Sequence, residues 1–260
     1  MENKEESYLY ILNQGIYRDD IAEVAISSPA SSELYGASYF NADKDSYGFE
    51  DYRDGQWWED EAQQIMNLYN PDTVYEIGCG YGFLVNKLMQ KGIMVYGSDI
   101  SEYAIHKGWE ELGLNDEITV LDATSSNFAG EVPFIKGELD VLIAKDVIEH
   151  WGDKLEQGIE NMVSLEPKFI HIVTPMGETK DSPITAHCKD KYWNEKLWYY
   201  IGANSKTDLT HTALHERSYW AEQFEKHGYK ERKDLGDTVK FPTHESTDYA
   251  KSITIILEKS

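Results

Sequence analysis

The stretch "VYEIGCGYGF", residues 74–83, decides how this chain is read. An apolar run ends at Ile77. Glycines follow at Gly78, Gly80 and Gly82, and a new apolar pattern opens at Phe83. A strand that passes through such a loop into a helix lets the backbone turn tightly and lets a ligand approach it closely. The spacing is GxGxG, whereas the dinucleotide fingerprint is GxGxxG. A three-glycine turn also serves simply to pack a strand against a helix, so the neighbouring residues have to decide between the two.

Downstream, "FLVNKLMQKG" (83–92) has helical apolar spacing and a terminal glycine, and "IMVYGSDI" (93–100) reads as a strand. "SEYAIHKGWEELG" (101–113) reads as a helix with Ser101 as N-cap and Gly113 as its stop. "ITVLDA" (118–123), "LDVLIA" (139–144) and "KFIHIVTP" (168–175) read as strands, with a helix in "KLEQGIENMVSL" (154–165). This alternation predicts a mostly parallel sheet with helices on both faces, and such sheets bind ligands at the carboxyl ends of their strands. Upstream, "EDEAQQIMNLY" (59–69) spaces Ala62, Ile65, Met66 and Tyr69 as a helix, which Asn70-Pro71 ends. The tail adds a helix in "RSYWAEQFEKHG" (217–228) and a strand in "SITIILEK" (252–259).

The carboxyl tips of the predicted strands carry acids. Asp99 ends the second strand, where a carboxylate accepts hydrogen bonds from both hydroxyls of a ribose and repels a 2′-phosphate. Asp122 follows the third strand, within reach of an adenine amino group. After the fourth strand comes "IAKDVIEHW" (143–151), with Asp146, Glu149 and His150 close together. Two readings stand for it: a metal-binding set, or the polar edge of an ordinary loop.

Taken in order, "YEIGCGYG", "GSDIS", "LDAT" and "AKDVIEHW" resemble the successive motifs of class I S-adenosylmethionine-dependent methyltransferases. The resemblance covers residues 72 to about 178. It implies an α/β, Rossmann-like doubly wound sheet of seven strands, mostly parallel with an antiparallel last strand. It also implies S-adenosylmethionine as methyl donor. Carried over by position, Glu76 and the loop Gly78, Cys79, Gly80 and Gly82 would face the methionine part of the cofactor. Asp99 would hold the ribose, Ile100 would pack on the adenine, and Asp122 and Ala123 would face the adenine edge. Lys145 would contribute mainly backbone. The DxxEH element is similar to the ExxEH of metal-assisted O-methyltransferases, with aspartate in the first place. That implies a set of Asp146, Glu149, His150 and a downstream histidine, His211, for Mg²⁺ or Mn²⁺. Without metal, His150 or His211 would serve as general base with Glu149 beside it.

Four regions are expected. Residues 1–70 form a helical and aromatic cap, and 71–178 the cofactor-binding core. Residues 179–215 form an inserted lid, including "WNEKLWYY" (193–200) as a possible short helix, and 216–260 complete the sheet. Acceptor contacts are expected from Arg53 and the aromatic residues of 38–58, from the lid, and from His211 and His215.

The chain has 260 residues, 41% hydrophobic and 13% aromatic, enough for one large domain with elaborations. With 47 acidic and 24 basic side chains its formal charge is -23, which argues against nucleic acid or an anionic membrane as partner. No apolar run reaches the roughly 18 residues of a membrane-spanning helix. Two cysteines, Cys79 and Cys188, make no disulfide framework, so a reducing cytoplasm is expected. The predicted activity is O-methylation of a polar small molecule. N-methylation, a non-catalytic cofactor-binding scaffold and a nucleotide-dependent oxidoreductase are the alternatives.

Overall fold

The computed structural model describes residues 32–41, 52–175, 200–201, 207–208, 213, 215–239 and 252–260. A seven-stranded sheet runs through it. In chain order the strands are β1 (Thr73–Ile77), β2 (Met94–Asp99), β3 (Ile118–Val120), β4 (Val141–Lys145), β5 (Phe169–Pro175), β8 (Tyr229–Glu231) and β9 (Ser252–Lys259). Their order across the sheet is β3-β2-β1-β4-β5-β9-β8. The pairings among β1 to β5 are parallel, and β9 runs antiparallel between β5 and β8. This is the architecture expected. A separate two-stranded ladder joins β6 (Tyr200–Ile201) to β7 (Thr207–Asp208). Apart from those residues, Ala213 and His215, the expected lid lies outside the described residues.

The helices are α1 (Ala37–Phe40), α2 (Gln56–Tyr69), α3 (Phe83–Gln90), α4 (Glu102–Leu112), α5 (Phe128–Glu131), α6 (Leu155–Ser164), α7 (Arg217–Glu225) and α8 (Lys233–Gly236). Helix α2 begins three residues before the expected 59, after Gly55, and ends as expected at Asn70, which adopts a left-handed conformation with φ 42°. In α4, the Ser101 side chain accepts a hydrogen bond from the Ala104 N–H at 3.0 Å, and Gly113 closes the helix at φ 73°.

Alternation along the central strands sorts the core into two layers. Val74 of β1 and Val141 and Ile143 of β4 pack with Ala62 and Ile65 of α2, Leu84 and Leu88 of α3 and Ala104 and Ile105 of α4. Tyr75, Ile77, Leu142 and Ala144 face the opposite way. There they pack with Ile159 and Met162 of α6, Trp220 and Phe224 of α7, and Ile170, Ile172, Ile255 and Leu257 of the sheet's other half. The same alternation assigns Glu76, Lys145 and His171 to the α2 side. That layer therefore carries a polar stripe, and α2 answers it with Glu61 and Tyr69. Glu61 belongs to the helix's buried set of Trp58, Glu61, Ala62 and Ile65, at the spacing of an apolar face.

Candidate active site

The glycine loop leaves β1 with Gly78, Gly80 and Gly82 all at positive φ, 70°, 55° and 80°. All three are also places of close approach, Gly82 to Leu114. A Cβ on Gly78 would come within 2.1 Å of Val147 in the loop after β4, and one on Gly80 within 2.2 Å of the Tyr52 hydroxyl. The N–H groups of Gly78 and Cys79 donate to the Ser98 carbonyl at 2.6 and 3.0 Å, which ties the loop to the end of β2.

Asp99 is the hinge of this arrangement. One carboxylate oxygen accepts from the Gly80 N–H and the other from the Ser101 N–H, each at 2.8 Å. Burial raises the carboxyl above its ordinary value, and the donors of Ser101, Gly80 and Ile100 oppose that rise. A carboxylate has about four lone-pair sites, so acceptor capacity remains beside these backbone donors for ligand hydroxyls. Ile100 beside it is half-buried against the α4 layer.

Glu76 is 3% exposed, and its Oε2 has no hydrogen-bond partner among the described residues. Burial first, then the charges of Glu61 and Asp99, push its carboxyl up to about 8, with Lys145 pulling the other way. A buried carboxyl with an unsatisfied oxygen beneath a glycine turn is costly unless a ligand supplies a donor or a positive charge.

At the third strand end, Asp122 turns inward on its own loop. Its Oδ1 accepts from the Thr124 N–H at 2.8 Å and from the Thr124 hydroxyl at 2.6 Å. Ala123 is held by Asn161 of α6, whose side-chain amide donates to the carbonyls of Ala123 and Ser125, both at 2.8 Å. Lys145, expected to contribute mainly backbone, also carries its side chain into the α2 layer. Its ammonium lies 2.5 Å from Glu61 and 4.5 Å above the ring of Trp58. Burial alone would lower Lys145, but the Glu61 carboxylate, with Asp146 and Glu76, outweighs it and holds the ammonium charged. On the same layer, Tyr69 Oη lies 2.7 Å from His171 Nδ1, and burial, with the Lys145 charge, pushes His171 down to about 3, leaving it neutral.

The described part of the expected cap lies on the glycine loop. The Ser101 hydroxyl donates to the Tyr35 carbonyl at 2.5 Å while it caps α4. Tyr52 packs edge-on against Tyr81 at 4.9 Å and against Phe40 at 5.1 Å. Behind Tyr52, between α1 and α4, lies a cleft of ≈ 310 Å³ that Arg53, Tyr103 and Lys107 help to line. Removing the Ser101 hydroxyl should cost about 1–2 kcal/mol through the lost cap and should also loosen the cap segment. A Ser101→Ala variant is expected to melt earlier and to lose amide protection at Tyr35 and its neighbours, readable by hydrogen exchange.

Asp146, Glu149 and His150 follow β4 as expected, yet they do not converge. Asp146 sits at φ 52° with its N–H on the Val173 carbonyl, and a 3-10 turn then runs from Ile148 to His150. Glu149 is fully buried and accepts from the Thr174 hydroxyl of β5 at 3.0 Å. His150 turns toward the cap, its ring edge-on to Tyr35 at 5.5 Å. Among the described residues no group of three or more histidines, cysteines or acids is placed to hold a metal ion. His211 lies outside them. The segment after it comes back to the site, because the Ala213 N–H donates to the Glu149 carbonyl at 2.8 Å. His215 stacks on Tyr219 at 3.6 Å, and burial pushes it down to about 4. Helix α7 starts after it, at Arg217, as expected.

Residues 75–165 match the family model described as "Methyltransferase domain". The matched segment holds the glycine loop, Asp99, Asp122 and the DxxEH turn. The chain carries a methyltransferase domain. The residues fit the cofactor: an unsatisfied acid for its ammonium, a glycine turn without room for a Cβ, and a carboxylate with lone pairs to spare for the ribose. No curated protein matches the methyltransferase as a relative. Among solved structures it is similar to the mitomycin 7-O-methyltransferase MmcR, with 14% identity over 99% of this chain and 67% of that one and a TM-score of 0.53. Magnesium protoporphyrin IX methyltransferase from Synechocystis PCC 6803 is 17% identical over 93% of this chain and 100% of that one, with a TM-score of 0.54. Geranyl diphosphate C-methyltransferase from Streptomyces coelicolor A3(2) is 14% identical over 77% and 79%, with a TM-score of 0.52. At these identities the likeness is one of fold. No helix among the described residues is long and apolar enough to cross a membrane.

Sequence reading missed Glu61. A signal was present: it occupies the i+3 place of an apolar helical stripe, Trp58, Glu61, Ala62, Ile65. Tyr52 was expected only as one of the aromatic residues of 38–58, since its position over Gly80 depends on how the chain before α2 crosses the loop.

Proposed function

We propose that the methyltransferase acts on a hydroxyl of a polar small molecule, such as a sugar or secondary metabolite, with His150 as general base. The observation that carries this reading is the placement of His150. It follows β4 at the carboxyl edge of the sheet, it is 7% exposed, and it lies beside Tyr35 of the cap. The cofactor supplies an electrophilic methyl group on a sulfonium. The chain's own work is to hold the ribose through Asp99, to receive the ammonium at Glu76, to exclude water with the aromatic cap, and to take the acceptor's proton at the His150 imidazole. The mitomycin 7-O-methyltransferase agrees with this acceptor class, while geranyl diphosphate C-methyltransferase methylates carbon. The surface charge of -23 favours a small acceptor over a nucleic acid.

The described residues favour a base over a cation held by Asp146, Glu149, His150 and His211, because one Glu149 oxygen bonds into the core at Thr174 and no three such groups among them converge to hold an ion. The test is formation of S-adenosylhomocysteine with a panel of hydroxyl and amine acceptors. Turnover on hydroxyl acceptors is expected to survive exhaustive chelation, and His150→Ala is expected to lower it by about 10²–10⁴-fold. Loss of activity on chelation, restored by Mg²⁺ or Mn²⁺, would replace the base with a metal. Exclusive turnover of amines would replace the hydroxyl. Tight cofactor binding with no turnover of any acceptor would favour a scaffold.

A further inference from the structure

The α2 side of the sheet holds an ion pair beside Glu76 that the reaction as described leaves unused. Glu61, on the core face of α2, is 1% exposed and pairs with Lys145 at the end of β4. Glu76 on β1 shares this layer, is almost as deeply buried, and has an oxygen without a hydrogen-bond partner among the described residues. Among the described residues, buried acids therefore outnumber buried bases here, with Glu61, Glu76 and Asp99 against Lys145, and the base is paired with the acid on the helix. An ion pair placed on an apolar helical face costs desolvation that a leucine there would avoid, so it is poor as a device for stability alone.

We propose that the Glu61–Lys145 pair makes cofactor binding an exchange of cations, in which the α-ammonium of S-adenosylmethionine enters beside Glu76 as a proton leaves Glu76 for solvent. This rests on the cofactor assignment and goes beyond it by giving the N-terminal helix a part in the cofactor site. Glu61 engages the Lys145 ammonium, and the remaining pull of Lys145 on Glu76 is outweighed by burial and by the neighbouring acids in the resting protein. The carboxyl is pushed up to about 8 by burial, by Glu61 and by Asp99. Among the described residues the other groups facing it add no cation: Asp99 ends β2, and burial keeps both the Tyr52 phenol and the Cys79 thiol neutral. The arriving ammonium supplies the missing positive charge, and the proton becomes dispensable. Glu61 and Lys145 are thus positioning residues, acting on the cofactor through Glu76.

The experiment is titration calorimetry of the full chain with S-adenosylhomocysteine at pH 7, in two buffers of different ionisation enthalpy. 5′-Methylthioadenosine, which lacks the amino-acid part, serves as control. The wild type is expected to release about one proton per S-adenosylhomocysteine and none with methylthioadenosine. Its affinity for S-adenosylhomocysteine should tighten by up to about tenfold per pH unit between pH 6 and 8, with no such slope for the control. In Glu61→Gln, Lys145 is released to ionise Glu76, so proton release and pH slope should both collapse. In the double variant Glu61→Gln with Lys145→Met both should return, because the charge that ionised Glu76 is gone. A pair serving only to hold α2 in place would not give loss in the single variant and recovery in the double. Equal heats in the two buffers for the wild type, or a Glu61→Gln variant that still releases its proton, overturns the inference. Binding without proton release overturns it alone, whereas no binding of S-adenosylhomocysteine at all overturns the cofactor assignment with it.

Discussion

Asp99→Ala is expected to weaken S-adenosylhomocysteine binding by two to four orders of magnitude while the protein stays folded. The carboxylate would accept two ribose hydroxyls. Hydrogen bonds to a charged group contribute about 1.5–3 kcal/mol each, so losing both costs about 3–6 kcal/mol of binding. The same side chain braces the glycine loop, since it accepts the Gly80 and Ser101 N–H groups at 2.8 Å. Alanine frees those donors, and the loop loses the geometry that receives the cofactor. Asp99→Asn separates the two effects, because the amide keeps one acceptor oxygen and replaces the other with a donor that faces a donor. Calorimetry showing Asp99→Ala within threefold of wild type would remove Asp99 from the cofactor site.

The second large effect has opposite signs for stability and for binding. Burial, Glu61 and Asp99 raise Glu76 from 4.5 to about 8. A group whose folded value is raised contributes stability that is full below its unfolded value and is lost as pH rises through its folded value. The protein without cofactor should therefore lose stability at Glu76 progressively from about pH 4.5 to about pH 8. Glu76→Gln removes the titration, so the variant should gain on the wild type over that window, by up to a few kcal/mol at about 1.4 kcal/mol per pH unit. Melting temperatures of the two proteins should match near pH 4.5 and diverge at pH 8.5, with the variant higher. The variant should at the same time bind S-adenosylhomocysteine at least about tenfold more weakly, since a neutral amide oxygen gives an ammonium a weaker bond than a carboxylate and no opposite charge. A variant that is less stable than wild type at pH 8.5 would mean that Glu76 is satisfied in the unliganded fold.

Buried groups at sites that bind ligands often oppose stability in this way, because the partner that satisfies them is not part of the chain. The neighbouring ion pair follows the same logic. Breaking it by Lys145→Met alone leaves Glu61 buried and unpaired and should destabilise, whereas removing both partners should be close to neutral. The double variant is therefore the cleaner probe of function.

The sequence by itself determined the order of elements from β1 to β5, the helix ends at Asn70 and Gly113, the Ser101 cap, and the nature of the loop at Gly78–Gly82. Each of these rests on local physics: a period of two or 3.6, a left-handed residue, a side chain bonding to a backbone three residues on. Asp99 was legible for the same reason, since a strand's last residue must stand at the carboxyl edge. The polar stripe on the α2 layer was decided only by the tertiary structure. Glu61 looked like one more acid in "WWEDEAQQ", and it acquires meaning only when α2 lies across β1 and β4 in a way that brings it to Lys145. The DxxEH turn was legible as residues close together in sequence but not as directions in space. The 3-10 turn and the positive φ at Asp146 set those directions, sending Glu149 to Thr174 and His150 to Tyr35. Spacing along a chain fixes which residues share an element, while the direction of a side chain in an irregular turn depends on the packing around it.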